Sequence, residues 1–376
     1  MKEKIKVLFV QRFMLHYRID LLERINQKQN IDLTLIHGRG IKNSKFVNYE
    51  GPVNFKHIKL RTIQIHRKIN HLVFCPSLFW HLIKQNPDII IAEGESNMPN
   101  NLAIYCYSVL FHKKIVWWGL GLIPGYKETW FQRIYRPLML LFLKRASAII
   151  GYSEYSREYY SKYADIKKIV VAHNCLDNEK IDQEIIQYKE ASGEFKKDLK
   201  LENKFVILFV GAFSRPKKID KLIRSFQKIK VDYPECVLII VGDGKLRPEL
   251  ESLVKSLDLA EVFFAGKIVE GVSKYFLSAD LFVLPGLGGL SIHHAMIHGL
   301  PVISASADGT ERDLIKDGVN GFLLKTDTVE ELTAIIKKFL ADKTLSRKFS
   351  IKSREMVDKF INISNMVKTF QDVCEL

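Results

Sequence analysis

Short apolar runs alternate with segments of helical periodicity along this chain, and the alternation occurs twice. It begins with a strand-like run at 6–11 and restarts with another at 205–211. Strands that alternate with helices form a parallel sheet with helices on both faces. The sequence therefore predicts an α/β protein of two doubly wound, Rossmann-like domains. Ligands of such sheets bind beyond the carboxyl ends of the strands, so we expect the site in a cleft across which the two domains face each other.

A polar, charge-rich stretch separates the two halves. It places an N-terminal domain at 1–175, a linker at 176–203 and a C-terminal domain at 204–345. Residues 346–376 have a long helical pattern in which the apolar positions are suited to burial. We expect this C-terminal helix to pack back toward the N-terminal domain.

The stretch 284–303 joins the end of a buried strand, a glycine turn and a helix start. Ser291 stands where an N-cap residue belongs, and Gly299 ends the apolar-spaced segment that follows it. Bare backbone N–H groups at the positive end of a helix suit a phosphate or sugar hydroxyls. The same residues are equally typical of a tight strand-to-helix connection without a ligand, so both interpretations stay open for this stretch alone.

Length and cysteine usage limit the class of protein. A chain of 376 residues is long enough for two domains with full cores. No window approaches the roughly 20 apolar residues that a membrane span needs, and the first residues do not have the pattern of a signal peptide. The five cysteines are scattered and form no CxxC pair, which favours a reducing cytosol and argues against a zinc site.

The net charge of +15 is concentrated in the first half of the chain. Residues 1–150 contain 23 Lys and Arg against 9 Asp and Glu. This excess favours a polyanionic partner: an anionic membrane surface, a lipid diphosphate or nucleic acid. A generally basic proteome would explain it without any partner. Residues 130–145 are strongly apolar between basic residues, which fits a helix on a membrane surface and a buried core helix equally well.

Four segments of the second half resemble glycosyltransferase family 4, which consists of retaining enzymes of GT-B fold that use nucleotide-diphosphate sugars. The segments are 211–223, 241–247, 263–267 and 279–311. The last contains the Pro-Val-Ile of the family signature at 301–303 and a following Gly-Thr-Glu at 309–311. In the first half, three segments are loosely similar to the acceptor domains of polysaccharide-building members: 16–18, 117–121 and 151–154.

The chain departs from the family pattern inside the signature. The family has two glutamates eight positions apart, and the corresponding residues here are Gly286 and His294. The second carboxylate of the family holds the nucleotide ribose, and a ring nitrogen of His294 can still meet a hydroxyl. Gly286 has no side chain to replace the first carboxylate. The resemblance therefore implies a divergent branch of the family with an altered sugar contact.

The resemblance implies a donor site in the second half, with Arg215, Lys217 and Glu311 as catalytic candidates. The two cations would neutralise the diphosphate leaving group, and the carboxylate would contact hydroxyls of the donor. A solvated basic turn and a charge at a helix start are the structural alternatives. The donor-binding candidates share a place at a turn or a helix start: Gly211, Lys267, Gly288, Gly289, Leu290, Ser291, His294 and Thr310.

Three side chains at strand ends of the first half are the acceptor-side candidates: His16, Arg18 and Glu95. Taken singly, each fits a structural role better than a catalytic one. No general base is assigned, because the leaving phosphate of a retaining reaction can accept the acceptor's proton. No Asp-x-Asp pair follows a strand, and the enzymes of this resemblance need no metal. We therefore expect activity without metal or cofactor, the nucleotide-diphosphate sugar being a co-substrate.

These inferences favour a retaining, hexosyltransferase-type enzyme that moves a sugar from a nucleotide-diphosphate donor, with UDP as first choice. The expected acceptor is a lipid-linked or growing surface polysaccharide, such as a capsule or O-antigen. We expect a cytoplasmic protein on the inner face of the cell membrane, held through its basic N-terminal half, without a nucleic-acid partner. A non-catalytic GT-B-like subunit of another transferase is the main alternative, motivated by Gly286. An epimerase of the same fold and a nucleic-acid-binding protein are the others.

Overall fold

The computed structural model describes residues 3–41, 46–66, 71–125 and 130–376. The chain folds into two compact units. The first consists of Met1–His173 and Ile363–Leu376, and the second of Asn174–Asn362. The chain therefore leaves the first unit near the predicted domain boundary and returns to it close to its end. No helix in the described ranges is long and apolar enough to cross a membrane.

The described part of the first unit contains strands β1–β9, which are Ile5–Gln11, Ile31–His37, Lys56–Lys59, Ile63–His66, His71–Phe74, Ile89–Glu93, Lys114–Gly119, Ala148–Gly151 and Ile169–Val171. Its helices α1–α5 are Ile19–Asn26, Leu78–Gln85, Met98–Leu110, Trp130–Arg145 and Glu154–Ser161. Seven strands form a parallel sheet in the order β3-β2-β1-β6-β7-β8-β9, and β4 pairs antiparallel with β5. β2 and β3 lie on one side of β1, and β6 to β9 lie on the other side, as in a doubly wound domain.

Both faces of this sheet are covered, as expected of a parallel sheet. On one face, Leu8 and Trp117 pack with side chains of α2, α3 and α4 in a single apolar core. On the other face, Phe9 lies edge-on to Trp118 with ring centroids 6.3 Å apart, and both rings contact Phe370 near the end of the chain. Alternate residues along each strand therefore belong to different layers of the core.

The second unit contains strands β10–β15, which are Phe205–Val210, Cys236–Val241, Val262–Gly266, Leu281–Leu284, Val302–Ala305 and Gly321–Leu324. Its helices α6–α13 are Asn178–Asp198, Ile219–Lys230, Arg247–Ser256, Ser273–Ser278, Leu290–Ile297, Glu311–Leu314, Val329–Ala341 and Lys343–Lys359. The strands form one parallel sheet in the order β12-β11-β10-β13-β14-β15. This is again a doubly wound order, with its reversal between β10 and β13.

The predicted linker at 176–203 is largely a helix and belongs to the second unit, which begins at Asn174. Helix α6 is capped by the Asp177 carboxylate, which accepts from the N–H groups of Glu179 and Lys180, and it packs against α9 of the second unit. Only Asn178 and Ile181 of this helix are buried. A helix that buries so little carries the same polar residues as a linker, and its composition does not separate the two.

The predicted single C-terminal helix is two helices that belong to different units. α13 lies in the second unit, and α14, Ile363–Glu375, lies in the first, where it packs against α1. Between them, the side-chain amide of Asn362 donates to the carbonyls of Val357 and Asp358, both at 3.1 Å. These carbonyls are left unpaired by the end of a helix, so Asn362 stabilises the break. Only α14, and not the whole of 346–376, returns to the first unit.

Candidate functional site

The strand order of the second sheet creates a switch point between β10 and β13. The chain leaves β10 toward β11 on one side and leaves β13 toward β14 on the other. The loops after these two strands therefore diverge, and a crevice opens between them. The loops are 211–218 and 285–289. The first holds the predicted cations Arg215 and Lys217, and the second holds the predicted glycines.

Gly286 lies directly against the backbone of the first loop. A Cβ atom built on it would lie 2.1 Å from the carbonyl oxygen of Pro216 and 2.6 Å from the carbonyl carbon of Lys217. The N–H of Leu287 donates to the same Pro216 oxygen at 2.7 Å. No side chain fits at position 286 while these backbones are in contact. The packing of the two loops therefore gives a physical reason for glycine where the resemblance would place a glutamate.

The Lys217 side chain lies between a glycine of the second loop, Gly288, and one of its own loop, Gly211. Its Nζ atom lies 2.5 Å from the position that a Cβ of Gly288 would occupy, and its Cε atom lies 3.6 Å from the corresponding position at Gly211. The hydroxyl oxygen of Thr310 lies 2.8 Å from the Cβ position of Gly289. One ammonium, one hydroxyl and the backbone of two glycines therefore converge at the start of α10, an arrangement suited to a phosphate.

Helix α10 begins at Leu290, with Gly289 as its N-cap and without a side-chain cap. The predicted N-cap, Ser291, lies inside the first turn, so that prediction was wrong. The Ser291 hydroxyl oxygen is buried, has no hydrogen-bond partner among the described residues, and lies 3.7 Å from the Cβ position of Gly288. The start of α10 therefore has no side-chain acceptor of its own and has an additional hydroxyl near the glycines.

Glu311 is completely buried and shapes the loop that carries Thr310. Its Oε2 atom accepts from the N–H of Gly309 at 2.9 Å, and its Oε1 atom accepts from the hydroxyl of Ser306 at 3.3 Å. Asp308 accepts from the backbone N–H of Thr310 at 3.1 Å and from its hydroxyl at 2.5 Å. Glu311, which the sequence predicts to contact the donor, thus forms hydrogen bonds within its own loop. Asp308, which was not predicted from the sequence, orients the Thr310 hydroxyl.

The two histidines of α10 have different surroundings. His293 is fully buried, and its Nδ1 atom accepts from the N–H of Leu176 at 3.2 Å. Its Nε2 atom therefore carries the hydrogen and donates to the Ile361 carbonyl at 2.7 Å. The predicted ligand His294 instead packs on Phe276, with ring centroids 4.4 Å apart. Burial, followed by the neighbouring histidines, holds the pKa of His294 well below its usual value, so its ring is neutral.

The remaining predicted cations lie apart from the glycines. Arg215 is exposed and lines a groove of about 690 Å³ together with residues of α7 and α8. Lys218, which is not one of the predicted site residues, contacts Asp327 at 2.5 Å. Lys267 is exposed directly after β12. Lys217 is therefore the predicted cation that the structure brings to Gly288. Within the described residues, no group of three or more His, Cys, Asp and Glu side chains could hold a metal ion.

Glycines also tie together the carboxyl ends of β10, β11 and β12. The N–H of Gly211 donates to Val241 at 3.0 Å, and the N–H of Gly242 donates to Gly266 at 2.8 Å. A Cβ on Gly242 would lie 1.9 Å from the Gly211 carbonyl oxygen, and the φ of Gly242 is +139°. The sequence indicated a turn at Gly242 but not this contact, because the two glycines are distant along the chain. The contact fixes the start of the loop that carries Lys217.

Among the acceptor-side candidates, Arg18 is held in an aromatic environment. Its guanidinium carbon lies 4.2 Å from the ring centroid of Trp118, and Nη2 donates to the Tyr152 hydroxyl at 2.5 Å. Nearby, Glu93 accepts from the guanidinium of Arg12 at 3.1 Å. Burial alone would raise the pKa of Glu93, but Arg12 and Arg18 hold it below its usual value. These contacts give Arg18 a structural role at the end of the first sheet.

Glu95 lines a pocket of about 40 Å³ in the first unit. It accepts a hydrogen bond from the Tyr160 hydroxyl, yet burial raises the pKa of Glu95 above its ordinary value. Most of the other lining side chains are apolar or aromatic, among them Met98, Leu122, Tyr135, Met139 and Tyr159. His16 is exposed, with its ring edge-on to Tyr17. Of the three acceptor-side candidates, Glu95 is the one that lines this pocket.

Residues 192–356 match the family described as glycosyl transferases group 1. An uncharacterized glycosyltransferase of Haemophilus influenzae is 32% identical over 165 residues, which cover 43% of this chain and 46% of that protein. The N-acetylgalactosamine-N,N'-diacetylbacillosaminyl-diphospho-undecaprenol 4-alpha-N-acetylgalactosaminyltransferase of Campylobacter jejuni is 26% identical over 198 residues, which cover 52% of this chain and 50% of that protein. The chain spans 46–60% of the length of four such curated relatives.

A solved structure establishes the fold of the whole chain. The crystal structure of Anabaena HepE in complex with UDP matches with a TM-score of 0.77 over 99% of both chains, at 16% sequence identity. At this identity the likeness shows the fold alone. The chain has the GT-B fold, in which two Rossmann-like α/β domains each contain a parallel sheet. The predicted fold class is confirmed.

Proposed function

We propose that this chain is a retaining glycosyltransferase that moves a sugar from a nucleotide-diphosphate donor, with UDP as the nucleotide, to a lipid-linked or growing surface-polysaccharide acceptor. The observation that carries the proposal is the position of the Lys217 ammonium against Gly288 at the start of α10. A lysine, glycine N–H groups and a helix start together favour a diphosphate. The match of 192–356 to glycosyl transferases and the UDP bound by HepE support this donor class.

Lys217 supplies the charge that the departure step requires. Negative charge develops on the diphosphate as its bond to the anomeric carbon breaks, and an ammonium already in place stabilises that transition state more than the ground state. The first N–H groups of α10 add hydrogen bonds to the same oxygens, whereas the hydroxyl of Thr310 donates to Asp308. Because these groups supply the positive charge that a divalent metal supplies elsewhere, we propose a metal-independent reaction.

Retention of the anomeric configuration is part of the same proposal. Position 286 has no side chain and Glu311 is engaged by its own loop, so neither offers a carboxylate to the anomeric carbon. We therefore propose that the leaving phosphate accepts the proton of the incoming hydroxyl on the face from which it departs. The contribution of Lys217 is then to stabilise a phosphate that is leaving group and proton acceptor at once.

The acceptor proposal depends on the first unit. The cationic excess of residues 1–150 suits the phosphate or diphosphate of a lipid carrier. The name of the Campylobacter relative includes a diphospho-undecaprenol sugar. We therefore propose a lipid-linked acceptor of surface-polysaccharide synthesis, and a cytoplasmic enzyme that works on the inner face of the cell membrane.

A non-catalytic GT-B-like subunit is the second candidate. The glycine at position 286 and the burial of Glu311 favour it, since neither position presents a carboxylate to the donor. A subunit of this kind would position another transferase and would not turn over substrate. Release of UDP from any UDP-sugar by the purified chain, with acceptor or water, excludes this candidate.

Thermal unfolding with UDP, GDP, ADP and CMP, without added metal, tests the donor site. A nucleotide at about a hundred times its Kd stabilises by roughly 2.7 kcal/mol. We expect UDP to raise the Tm of the wild type and not that of Lys217→Ala. Lys218→Ala is the matched control, because its ammonium pairs with Asp327. A UDP shift that persists in Lys217→Ala, or no shift with any nucleotide, contradicts the proposed site.

A further inference from the structure

Three adjacent helices of the first unit contain no acidic residue. α3 packs against both α2 and α4, and all three cover the same face of the sheet. They have 8, 13 and 16 residues. In the whole chain, 42 of 376 residues are Asp or Glu, yet these helices contain none and carry five cations, Lys84, Arg133, Arg136, Lys144 and Arg145. We call the outward surface of these helices the α2–α4 face.

The α2–α4 face also exposes large apolar side chains. Of the four tryptophans, Trp117 and Trp118 are buried, whereas Trp80 is 71% exposed and Trp130 is 61% exposed. Other exposed apolar side chains of the face are Leu102, Leu110, Ile134 and Leu141, and Phe111 is exposed directly after α3. The core does not require this surface, because α4 buries a different set of residues, namely Met139, Phe142 and Leu143.

An anionic bilayer accounts for this combination better than a protein partner does. Tryptophan rings favour the membrane–water interface, and lysine and arginine beside them are attracted to anionic headgroups. A second copy of this chain would bring the same cations against each other without carboxylates between them, which like-charge repulsion opposes. A bilayer instead presents negative charge over an area as extended as three helices.

We propose that the α2–α4 face binds the surface of a bilayer that contains anionic phospholipids. Trp80 and Trp130 lie at the level of the headgroups, and Arg133 and Lys144 lie against the lipid phosphates. α4 also lines the pocket of Glu95, so one helix connects the bound membrane with the acceptor-side candidate. This inference deepens the proposed transfer to a lipid-linked acceptor and rests on that function for its purpose, whereas the binding itself requires no catalysis.

Co-sedimentation of the full chain with vesicles tests the charges. The vesicles contain phosphatidylcholine alone or with an equal part of phosphatidylglycerol. Since each cation at an anionic surface contributes about fivefold in partitioning, the double variant Arg133→Gln/Lys144→Gln should bind the anionic vesicles roughly 25-fold more weakly. The double variant Arg224→Gln/Lys255→Gln is the control, because it removes two exposed cations of the second unit. It should bind as the wild type does.

The same assay tests the aromatic side chains. Trp80→Ala/Trp130→Ala should lose binding to the anionic vesicles. Ile186→Ala/Val231→Ala is the matched control, because these side chains of the second unit are 75% and 82% exposed, and it should retain binding. All four replaced residues lie at the surface, so each variant is expected to fold.

Binding that both face variants lose and both controls retain supports the proposal. Equal binding of the wild type and the face variants, or no binding of the wild type to anionic vesicles, overturns it. A dimer in analytical ultracentrifugation that Trp80→Ala/Trp130→Ala dissociates would assign the face to a second copy and also overturn it. The UDP-induced rise in Tm is measured on the same variants. If UDP does not raise the Tm of the wild type, the proposed donor site is contradicted, whatever the vesicle assay shows. If UDP still raises the Tm of a face variant, the second unit of that variant is folded.

Discussion

Alanine at position 286 and alanine at position 288 should have different effects, although the two glycines are neighbours in one loop. At Gly286 the added Cβ would lie 2.1 Å from the carbonyl oxygen of Pro216. That oxygen belongs to the backbone and already accepts from Leu287, so it cannot move without breaking a hydrogen bond. Overpacking of this kind costs about 1–3 kcal/mol. In a unit of this size each kcal/mol lowers the Tm by roughly 2–4 °C.

At Gly288 the added Cβ would meet the Nζ atom of Lys217 at 2.5 Å and a methyl group of Leu284 at 2.8 Å. Both are ends of side chains that can rotate, so we expect Gly288→Ala to lower the Tm less than Gly286→Ala does. The ammonium is displaced from the start of α10, however. The rise in Tm that UDP produces should therefore be lost in Gly288→Ala.

Thermal unfolding of each variant with and without UDP measures both effects. Gly193→Ala is the control, since a Cβ there has no neighbour within 4 Å and alanine is the better helix former inside α6. Its Tm should equal or exceed that of the wild type, with an unchanged UDP shift. A Gly286→Ala protein as stable as the wild type would refute the proposed contact between the loops. A full UDP shift in Gly288→Ala would refute the position of Lys217.

Two further predictions concern the second unit. Acid should destabilise it between about pH 6.5 and pH 4, because burial holds the pKa of His294 well below its usual value and lowers that of His298 to about 4. In this window the unfolded chain binds protons that the folded chain does not, so the free energy of unfolding decreases as the pH decreases. His298→Gln should flatten a plot of Tm against pH, and an unchanged slope would contradict the assignment. Glu311→Gln should keep the wild-type Tm, because its amide can accept from Gly309 and donate to Ser306. Glu311→Ala should lower the Tm, because it leaves a buried N–H without a partner, which costs about 1–3 kcal/mol of stability. Equal Tm values for both variants would argue against the loop-shaping role.

The architecture could be predicted from the sequence because its signals are local. Burial on both faces requires apolar runs such as 205–210, and the helices between the strands require apolar residues at helical spacing. The stretch 178–198 shows the limit of such signals. Its helix buries one edge only, so its composition resembles that of a linker, and its contact with α9 cannot be recognised along the chain.

The candidate site could be predicted in part. Lys217, Gly288, Gly289 and Thr310 were named from the sequence, and the structure brings them together. Arg215 was named with them but lines a groove beside α7 and α8. Neighbouring residues of a short turn point in different directions, and the direction of each depends on the backbone that packs against the turn.

The sequence by itself determined that this chain forms two doubly wound sheets with a glycine loop after a strand, because apolar periodicity and glycine positions act over a few residues. Only the tertiary structure decided which groups occupy the loop. The contact of Gly286 with Pro216 and the packing of His294 on Phe276 each join residues that are separated in the chain, and the burial of Glu311 depends on the elements around its loop. Their positions follow from close packing, which excludes one side chain and buries others according to the volume that neighbouring elements leave.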